Sequence, residues 1–417
     1  MTKNDQEPRS QVRVSPRSGP VALLGYSVQA FEAAEALGLD YIAVVPPGFE
    51  AGLGADGIRT VTWRFDKRNE NSTDLFTQLQ GLGARLAIPL YEECVEWAGA
   101  LNSRFSGDPR AFNRSLLFRD KAMMKRKAQL SGIRVGVFEE VDSREAVQRF
   151  FQRVNDAELR IEGDDPVPVH MKPVSAAGSV GHRMIRKLED VVAVPDDAFP
   201  CMVESHLQGQ EFSCEAFLHA GKVRFLNITE YIKLGVSQII PPRAELEAMR
   251  PRIHEAIEKL ASAFGIDYGL IHPEYFLDAQ GELNFGEVAN RVPGGHIFEL
   301  IGRAYGFDPY QGLLLCSDPE STEEELSALF PAENEAHGHA ANLMVYPTRP
   351  QVSKLEVPDE LLADPYFERH DLVEPILSKV PQREGFGNHY GRIDFFGDDG
   401  DRILELLEQY EEYEFYV

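Results

Sequence analysis

Positive charge is scarce in this 417-residue chain, where 42 Lys and Arg stand against 67 Asp and Glu for a net charge of −25. That balance repels phosphodiester backbones and anionic headgroups, so neither nucleic acid nor a membrane surface is an expected partner. Any nucleotide site must gather its own lysines and arginines and a divalent cation. Long apolar runs are lacking as well. Val21-Ala22-Leu23-Leu24 and Ile42-Ala43-Val44-Val45 are typical, and none approaches the ~20 residues that cross a bilayer. Cysteine is sparse: Cys94, Cys201, Cys214 and Cys316 show no C-x-x-C spacing. This argues against a zinc knuckle and for reduced thiols in a cytoplasmic protein. Residues 1–18 hold no apolar core of a secretory signal and read as a flexible tail. Gly25-Tyr26-Ser27 is no G-x-G-x-x-G, so a dinucleotide site is unsupported. A Met-Lys-Met carrier sequence is missing too, so no built-in biotinyl domain is expected.

The chain does hold apolar material enough for two to four packed modules: 43% of residues are hydrophobic and 26% charged, the balance of a soluble globular protein. From Val21 to Phe105 short strands alternate with helices, which predicts a small parallel α/β domain. Phe118 to Ser131 predicts a basic helix closed by Gly132. Val167 to Lys172 predicts a strand running into a small-residue loop, and Cys201 to Leu207, Glu211 to Leu218 and Val223 to Glu230 predict further strands. Ile253, Ile257, Leu260, Ala261 and Phe264 recur at helical spacing. Gly269 to Leu277 and Glu282 to Ala289 straddle Asp278-Ala279-Gln280-Gly281, a hairpin signature. Ser317 to Glu325 reads as an acidic connector, and Ala340 to Val417 as a smaller mixed α/β segment.

Four constellations carry chemistry, each weak by itself. Arg119-Asp120-Lys121 opens a helix. Lys172 ends a strand before Ser175-Ala176-Ala177-Gly178-Ser179-Val180-Gly181, where small residues let backbone N–H groups approach phosphate oxygens beside a compact cation. Alone, that loop reads equally well as a surface hairpin. In Met202-Val203-Glu204-Ser205-His206-Leu207-Gln208-Gly209-Gln210-Glu211, the Glu204 carboxylate suits an adenine amino group, neighbouring backbone suits the ring edge, and Glu211 suits the ribose hydroxyls. Without the lysines, both glutamates read as solvated strand residues. Last, Glu274 and Glu287 stand on the two strands of the predicted hairpin, with Arg291 and Pro293-Gly294-Gly295 beyond. Mg²⁺ takes few carboxylates plus phosphate oxygens, which such a pair allows. A surface salt bridge is the alternative for Arg291.

This ordered set, lysine, lysine with small-residue loop, E-x-x-L-x-G-x-E, then E…E-x-x-x-R-x-P-G-G, resembles the ATP-grasp superfamily. It is most similar to the carboxylate–amine ligases, including bacterial L-amino acid ligases, over residues 19–315. The resemblance implies an ATP-grasp fold: an N-terminal α/β domain at 19–115, an ATP-grasp domain at 116–331 with a lid near 140–206, and a C-terminal α/β subdomain at 332–417. It implies that Lys121 and Lys172 hold the α/β-phosphates, with the 175–181 loop, Ser179 and Gly181 included, over the triphosphate. Glu204 with the backbone of Ser205 and Leu207 would hold adenine, Glu211 the ribose, Glu274 and Glu287 Mg²⁺ (or Mn²⁺), and Arg291 the transferring phosphate. Glu230 would meet a substrate ammonium. His272 replaces the arginine of the D-alanine ligases, with a structural histidine as the alternative, and Gly295 and His296 would shape specificity. Many relatives read E-x-N at the metal. Here that place is Ala289, and the asparagine falls at Asn290, whose side chain on a regular strand points away from that of Glu287. Water is expected to replace it.

The implied reaction activates a carboxylate as an acyl phosphate and joins it to an amine, releasing ADP and phosphate. Small carboxylate and amine substrates, first of all amino acids, are the expected partners, and the family suggests a homodimer. Other ATP-grasp chemistry, such as biotin-dependent or purine-pathway carboxylation, would share every ATP residue. A phosphotransferase and a non-catalytic nucleotide-binding regulator are the remaining alternatives.

Overall fold

Fully buried aliphatic runs open the chain. In a computed structural model describing residues 12–53, 57–66, 71–156, 166–174, 181–375, 378–380 and 385–417, β1 (Val21–Leu24) and β2 (Tyr41–Val45) are buried along their whole length. Strands covered on both faces need such runs, as parallel sheets do. With β3 (Thr60–Thr62) and β4 (Leu86–Pro89) they form a parallel sheet of order β3-β2-β1-β4. The helix after β1 starts where Ser27 Oγ accepts the Ala30 N–H and stops at Gly38, whose φ of 70° is left-handed. The basic helix is shorter than its pattern, Lys121–Leu130, because Asp120 caps it by accepting from the Met123 N–H. This cap places Lys121 on the first turn.

A second, antiparallel sheet joins β5 (Phe138–Val141), β6 (Val169–Pro173), β7 (Arg183–Ile185) and β8 (Cys201–Ser205) in the order β5-β8-β6-β7. Val169, Met171 and Val203 pack on Val147, Phe150 and Phe151 of the helix Arg144–Val154. Alternation along a strand therefore turns His170, Lys172 and Glu204 to the other face.

The large sheet contains β9 (Gln210–His219), β10 (Lys222–Lys233), β11 (Ser237–Ile240), β12 (Gly269–Leu277), β13 (Leu283–Ala289) and β14 (His339–Met344). After the short β15 (Gln351–Val352) come β16 (Phe367–His370), β17 (Ser378–Lys379, paired with β15) and β18 (Arg392–Gly397). The order is β13-β12-β9-β10-β11-β14-β18-β16. Thus the C-terminal segment continues the same sheet through β11, a four-residue strand too short to show a period. The helix Arg250–Phe264 covers one face with its predicted apolar stripe. Helices Ile297–Tyr305 and Pro309–Ser317 fill the space between the other face and the N-terminal sheet. Among the described residues no helix is long and apolar enough to cross a membrane, and all four cysteines are buried free thiols.

One expectation needs correction. Residues 12–18, read as part of a flexible tail, are pinned: Val14 N–H donates to Leu37 O, and the Arg17 guanidinium lies against Asp318 at 2.9 Å and Glu325 at 2.6 Å. Residues 1–11 lie outside the described residues. The acidic connector links the helices Pro309–Ser317 and Glu323–Leu329 and is partly buried. Asp318 is 1% exposed and also takes Arg85 at 2.7 Å, and Glu325 reaches back to the Thr322 N–H to close a capping box on the helix Glu323–Leu329. Charge counted along the chain hid these partners, which are some 230 and 300 residues away in sequence.

Candidate active site

A cleft of about 700 Å³ opens between the β5-β8-β6-β7 sheet and the large sheet. Lys121, Lys172, Glu204, Ser205, Leu207, Glu211, Glu274, Glu287, Arg291, His272, Gly295 and His296 all line it. Gly181 (φ 74°) does not, and sits over Pro173 instead. Ser179 and the rest of 175–180 lie outside the described residues.

Hairpin register assembles the acidic side. Glu274 and Glu287 are direct partners across β12 and β13, next to a bulge after Glu274 that leaves Gly286 as the extra residue. Burial, Glu287 and Glu211 push Glu274 up to about 7. Burial, with Glu287 and Glu204, likewise pushes Glu211 up to about 7, against the pull of Lys172. Glu287 goes the other way: Lys121, 2.5 Å from its Oε2, and Lys172 outweigh burial and hold it at about 2. Lys172 in turn is held above its ordinary range, because Glu204, Glu287, Glu274 and Glu211 outweigh its desolvation. Carboxylates driven to hold protons at neutral pH are short of positive charge. This fits a divalent cation at Glu274 and Glu287 and phosphate oxygens at the lysines. Among the described residues no group of three or more His, Cys, Asp or Glu is arranged to hold a metal by itself. An ion here would therefore draw other ligands from substrate and water.

The expected adenine contact is changed in two parts. Glu204 is only 2% exposed, and its carboxylate is bonded to Lys125 Nζ and lies 3.4 Å from Lys172 Nζ, so it is not available to an amino group. The Ser205 N–H already donates to Val137 O. Glu204 instead orients the lysines. Lys125, 1% exposed, also donates to Phe285 O at 3.2 Å. It was missed because it reads as one more cation on a basic helix, yet it stands four residues, about one turn, after Lys121.

Glu230 also departs from expectation. It lies outside the cleft lining, 1% exposed, and accepts from Arg243 N–H at 2.8 Å, from the Arg243 guanidinium at 2.5 Å and from Gln210 Nε2 at 2.8 Å. Those donors take its charge, leaving none for a substrate ammonium. His272 lies between two carboxylates: Nδ1 is 2.8 Å from Glu215 Oε1, and Nε2 is 3.8 Å from Glu274 Oε1. Glu215 is fully buried and also accepts from Ser213, Asn227 and Thr229. Asn290 turns away from the pair, donating to Leu270 O at 2.7 Å.

Arg291 is held across the N-terminal boundary. Its Nε donates to Glu92 Oε2 at 2.8 Å, while Arg119 takes Oε1 at 2.6 Å. Glu92 was unread because its partners are distant in sequence. The far end of the cleft belongs to the C-terminal segment, through Asn342, Met344, Tyr346, Phe386 and His389. Gly295 O accepts from Gln238 Nε2 at 2.5 Å and Asn342 Nδ2 at 2.8 Å, and His296 stands edge-on to His389 at 6.2 Å.

Comparison with known proteins agrees with this geometry. Residues 165–299 match the model of an ATP-grasp domain. An L-arginine-specific L-amino acid ligase of Bacillus subtilis is 24% identical over 249 residues, 55% of this chain and 58% of that relative's length. The structure of an L-amino acid ligase from Bacillus licheniformis superposes with a TM-score of 0.74 at 18% identity, over 97% of this chain and 99% of that one. N5-carboxyaminoimidazole ribonucleotide synthetase from Thermotoga maritima gives 0.65 at 16%, over 96% and 99%. At such identities the structures speak for fold alone. Residues 165–299 thus match an ATP-grasp domain, and the chain as a whole shares the fold of these ATP-grasp structures.

Proposed function

We propose that this chain is an ATP-dependent carboxylate–amine ligase acting on small substrates, amino acids first among them, with Mg²⁺ or Mn²⁺. The observation that carries the reading is the Glu274–Glu287 pair, with Glu287 bonded to Lys121 and both within the field of Lys172. Its likeness to two amino acid ligases, one in sequence and one in fold, favours amide formation over the other ATP-grasp reactions.

A carboxylate is a poor electrophile. In the proposed reaction its oxygen attacks the γ-phosphorus, the bond to the β–γ bridging oxygen breaks, and ADP leaves. An amine then attacks the acyl carbon, phosphate departs with the C–O bonding pair, and the amine nitrogen loses its proton. The divalent ion, when bound, would offset charge on the phosphoryl oxygens. Lys121 and Lys172 would bind the phosphates, Lys125 and Glu204 would fix the position of Lys172, and Arg291, held by Glu92, would face the transferring group. Residues 116–331 supply this chemistry in our reading, while 19–115 and 332–417 wall the substrate end.

Purified protein with Mg·ATP and pairs of amino acids tests it. Phosphate and ADP should appear only when a carboxylate and an amine are both present, with an amide product by mass spectrometry. AMP and pyrophosphate, or bicarbonate-dependent phosphate release without an amine, would overturn the assignment.

A further inference from the structure

Three histidines form a continuous file along the lid wall of the cleft. His170 Nδ1 lies 2.8 Å from His182 Nε2, and His170 Nε2 lies 2.9 Å from His206 Nδ1. The rings are nearly parallel, at 6° and 23°. Strand alternation explains the placement: His170 shares the cleft face with Lys172, His182 sits just before β7, and His206 just after β8. All three line the cleft. Its charged neighbours are Lys172 on β6, Glu204 on β8, Lys121 on the basic helix, Glu287 on β13 and Arg186 after β7. Burial lowers all three imidazoles, and with His182, Lys172 and His206 it holds His170 down at about 3, which favours a neutral file at pH 7.

Neutrality restricts the protons sharply. Each N···N contact holds one proton, and each neutral ring carries one N–H. Suppose His170 donates to His182. Then His182 carries its own proton on Nδ1, His170 Nε2 accepts from His206 Nδ1–H, and His206 Nε2 is left as an acceptor. In the reverse order His182 Nδ1 is the acceptor and His206 Nε2–H the donor. No third neutral arrangement satisfies both contacts. The two ends of the file therefore always have opposite hydrogen-bonding character.

Those ends lie at different parts of the cleft. His182 lies in the field of Lys172, Glu287 and Lys121, where the nucleotide-binding reading puts the phosphates and metal, whereas His206 lies between Ser205 and Leu207 on the cleft-lining segment that the same reading gives to the base. Resting on the nucleotide-binding reading above, we propose that the file couples recognition of the triphosphate to recognition of the base. Phosphate oxygens select the arrangement with the donor at His182 Nδ1. His206 Nε2 is thereby an acceptor, matched to the 6-amino group of adenine and mismatched to the 6-oxo group of hypoxanthine or guanine. His170 is the positioning residue that carries the information between them.

Binding of the β,γ-imido analogues of ATP and ITP to the full chain with Mg²⁺, by calorimetry, tests this. The adenine analogue should bind more tightly on the order of tenfold or more, the cost of one mismatched buried hydrogen bond. The preference should shrink for adenosine over inosine, where no phosphate sets the His182 end. His170→Phe and His170→Gln should both bring the preference to within about threefold, with thermal melting confirming the fold of each. Proton–nitrogen correlation spectra of ¹⁵N-histidine-labelled protein with the ATP analogue should show Nδ1–H at His182 and a bare Nε2 at His206. An undiminished preference in both His170 variants, the reverse tautomers, or doubly protonated rings would overturn the coupling. Failure of the wild-type chain to bind either analogue would overturn the nucleotide reading itself, and the coupling with it.

Discussion

Glu274→Gln should stabilise the divalent-free protein, and by more as pH rises. Glu274 titrates near 7 in the folded chain against an ordinary 4.5, so below 4.5 both states hold the proton and its burial as a neutral acid costs no ionisation. As pH climbs from 4.5 through 7 the unfolded chain ionises first, and stability is lost until the folded group also ionises. At about 1.4 kcal/mol per pKa unit the penalty is roughly 1 kcal/mol at pH 5.5 and about 3 kcal/mol at pH 8. The isosteric amide removes it. The gap in melting temperature between variant and wild type should therefore widen by about 2–4 °C from pH 5.5 to pH 8, at ~1–2 °C per kcal/mol for a chain this long. Differential scanning calorimetry in EDTA across that range is the assay. Mg²⁺ should raise wild-type stability at pH 8 and do little for the variant. A gap that is flat in pH, or that narrows, would refute the reasoning, because it would mean that Glu274 is already ionised and satisfied in the empty site.

Glu287→Ala should abolish turnover, whereas Asn290→Ala should keep most of it with an unchanged Mg²⁺ requirement, since Asn290 is committed to Leu270 O; equal damage in Mg²⁺ titrations would show that the asparagine ligates after all. Lys125→Met should cost about 3–5 kcal/mol in denaturant unfolding by leaving Glu204 underpaired, and Lys125→Met with Glu204→Gln should recover much of that loss. Lys172→Ala should weaken nucleotide binding by about tenfold or more, read by calorimetry, as expected for one lost charge-assisted contact. Glu230→Gln should lower stability by about 1–3 kcal/mol while leaving the KM for the amine substrate unchanged; a raised KM with normal stability would return Glu230 to the substrate site.

Much of the cleft lining was legible because its residues are close in sequence or fixed by strand alternation. The turn at 278–281 sets the hairpin, the hairpin sets its register, and the register pairs Glu274 with Glu287. Asn290 was placed correctly away from the pair by alternation alone. Lys172 was singled out by its strand end and small-residue loop and Glu211 by its spacing from Glu204, and both line the cleft. What escaped were residues whose role depends on a distant partner: Lys125 on Glu204, Glu92 on Arg291, and the C-terminal side chains at the end of the cleft. Glu204 and Glu230 were misjudged for the same reason, because a carboxylate looks available until its cations are seen.

The sequence by itself determined the local elements and the order of the cleft-lining motifs, and hence the resemblance to ATP-grasp enzymes, since propensity, capping and alternation act over a few residues. The tertiary structure decided which charges neutralise one another, that β14, β16 and β18 extend the large sheet through β11, and that three separate histidines stand in one file. Coulomb interaction and hydrogen bonding depend on distance in space, and a linear chain does not state which of its many like residues will share a wall.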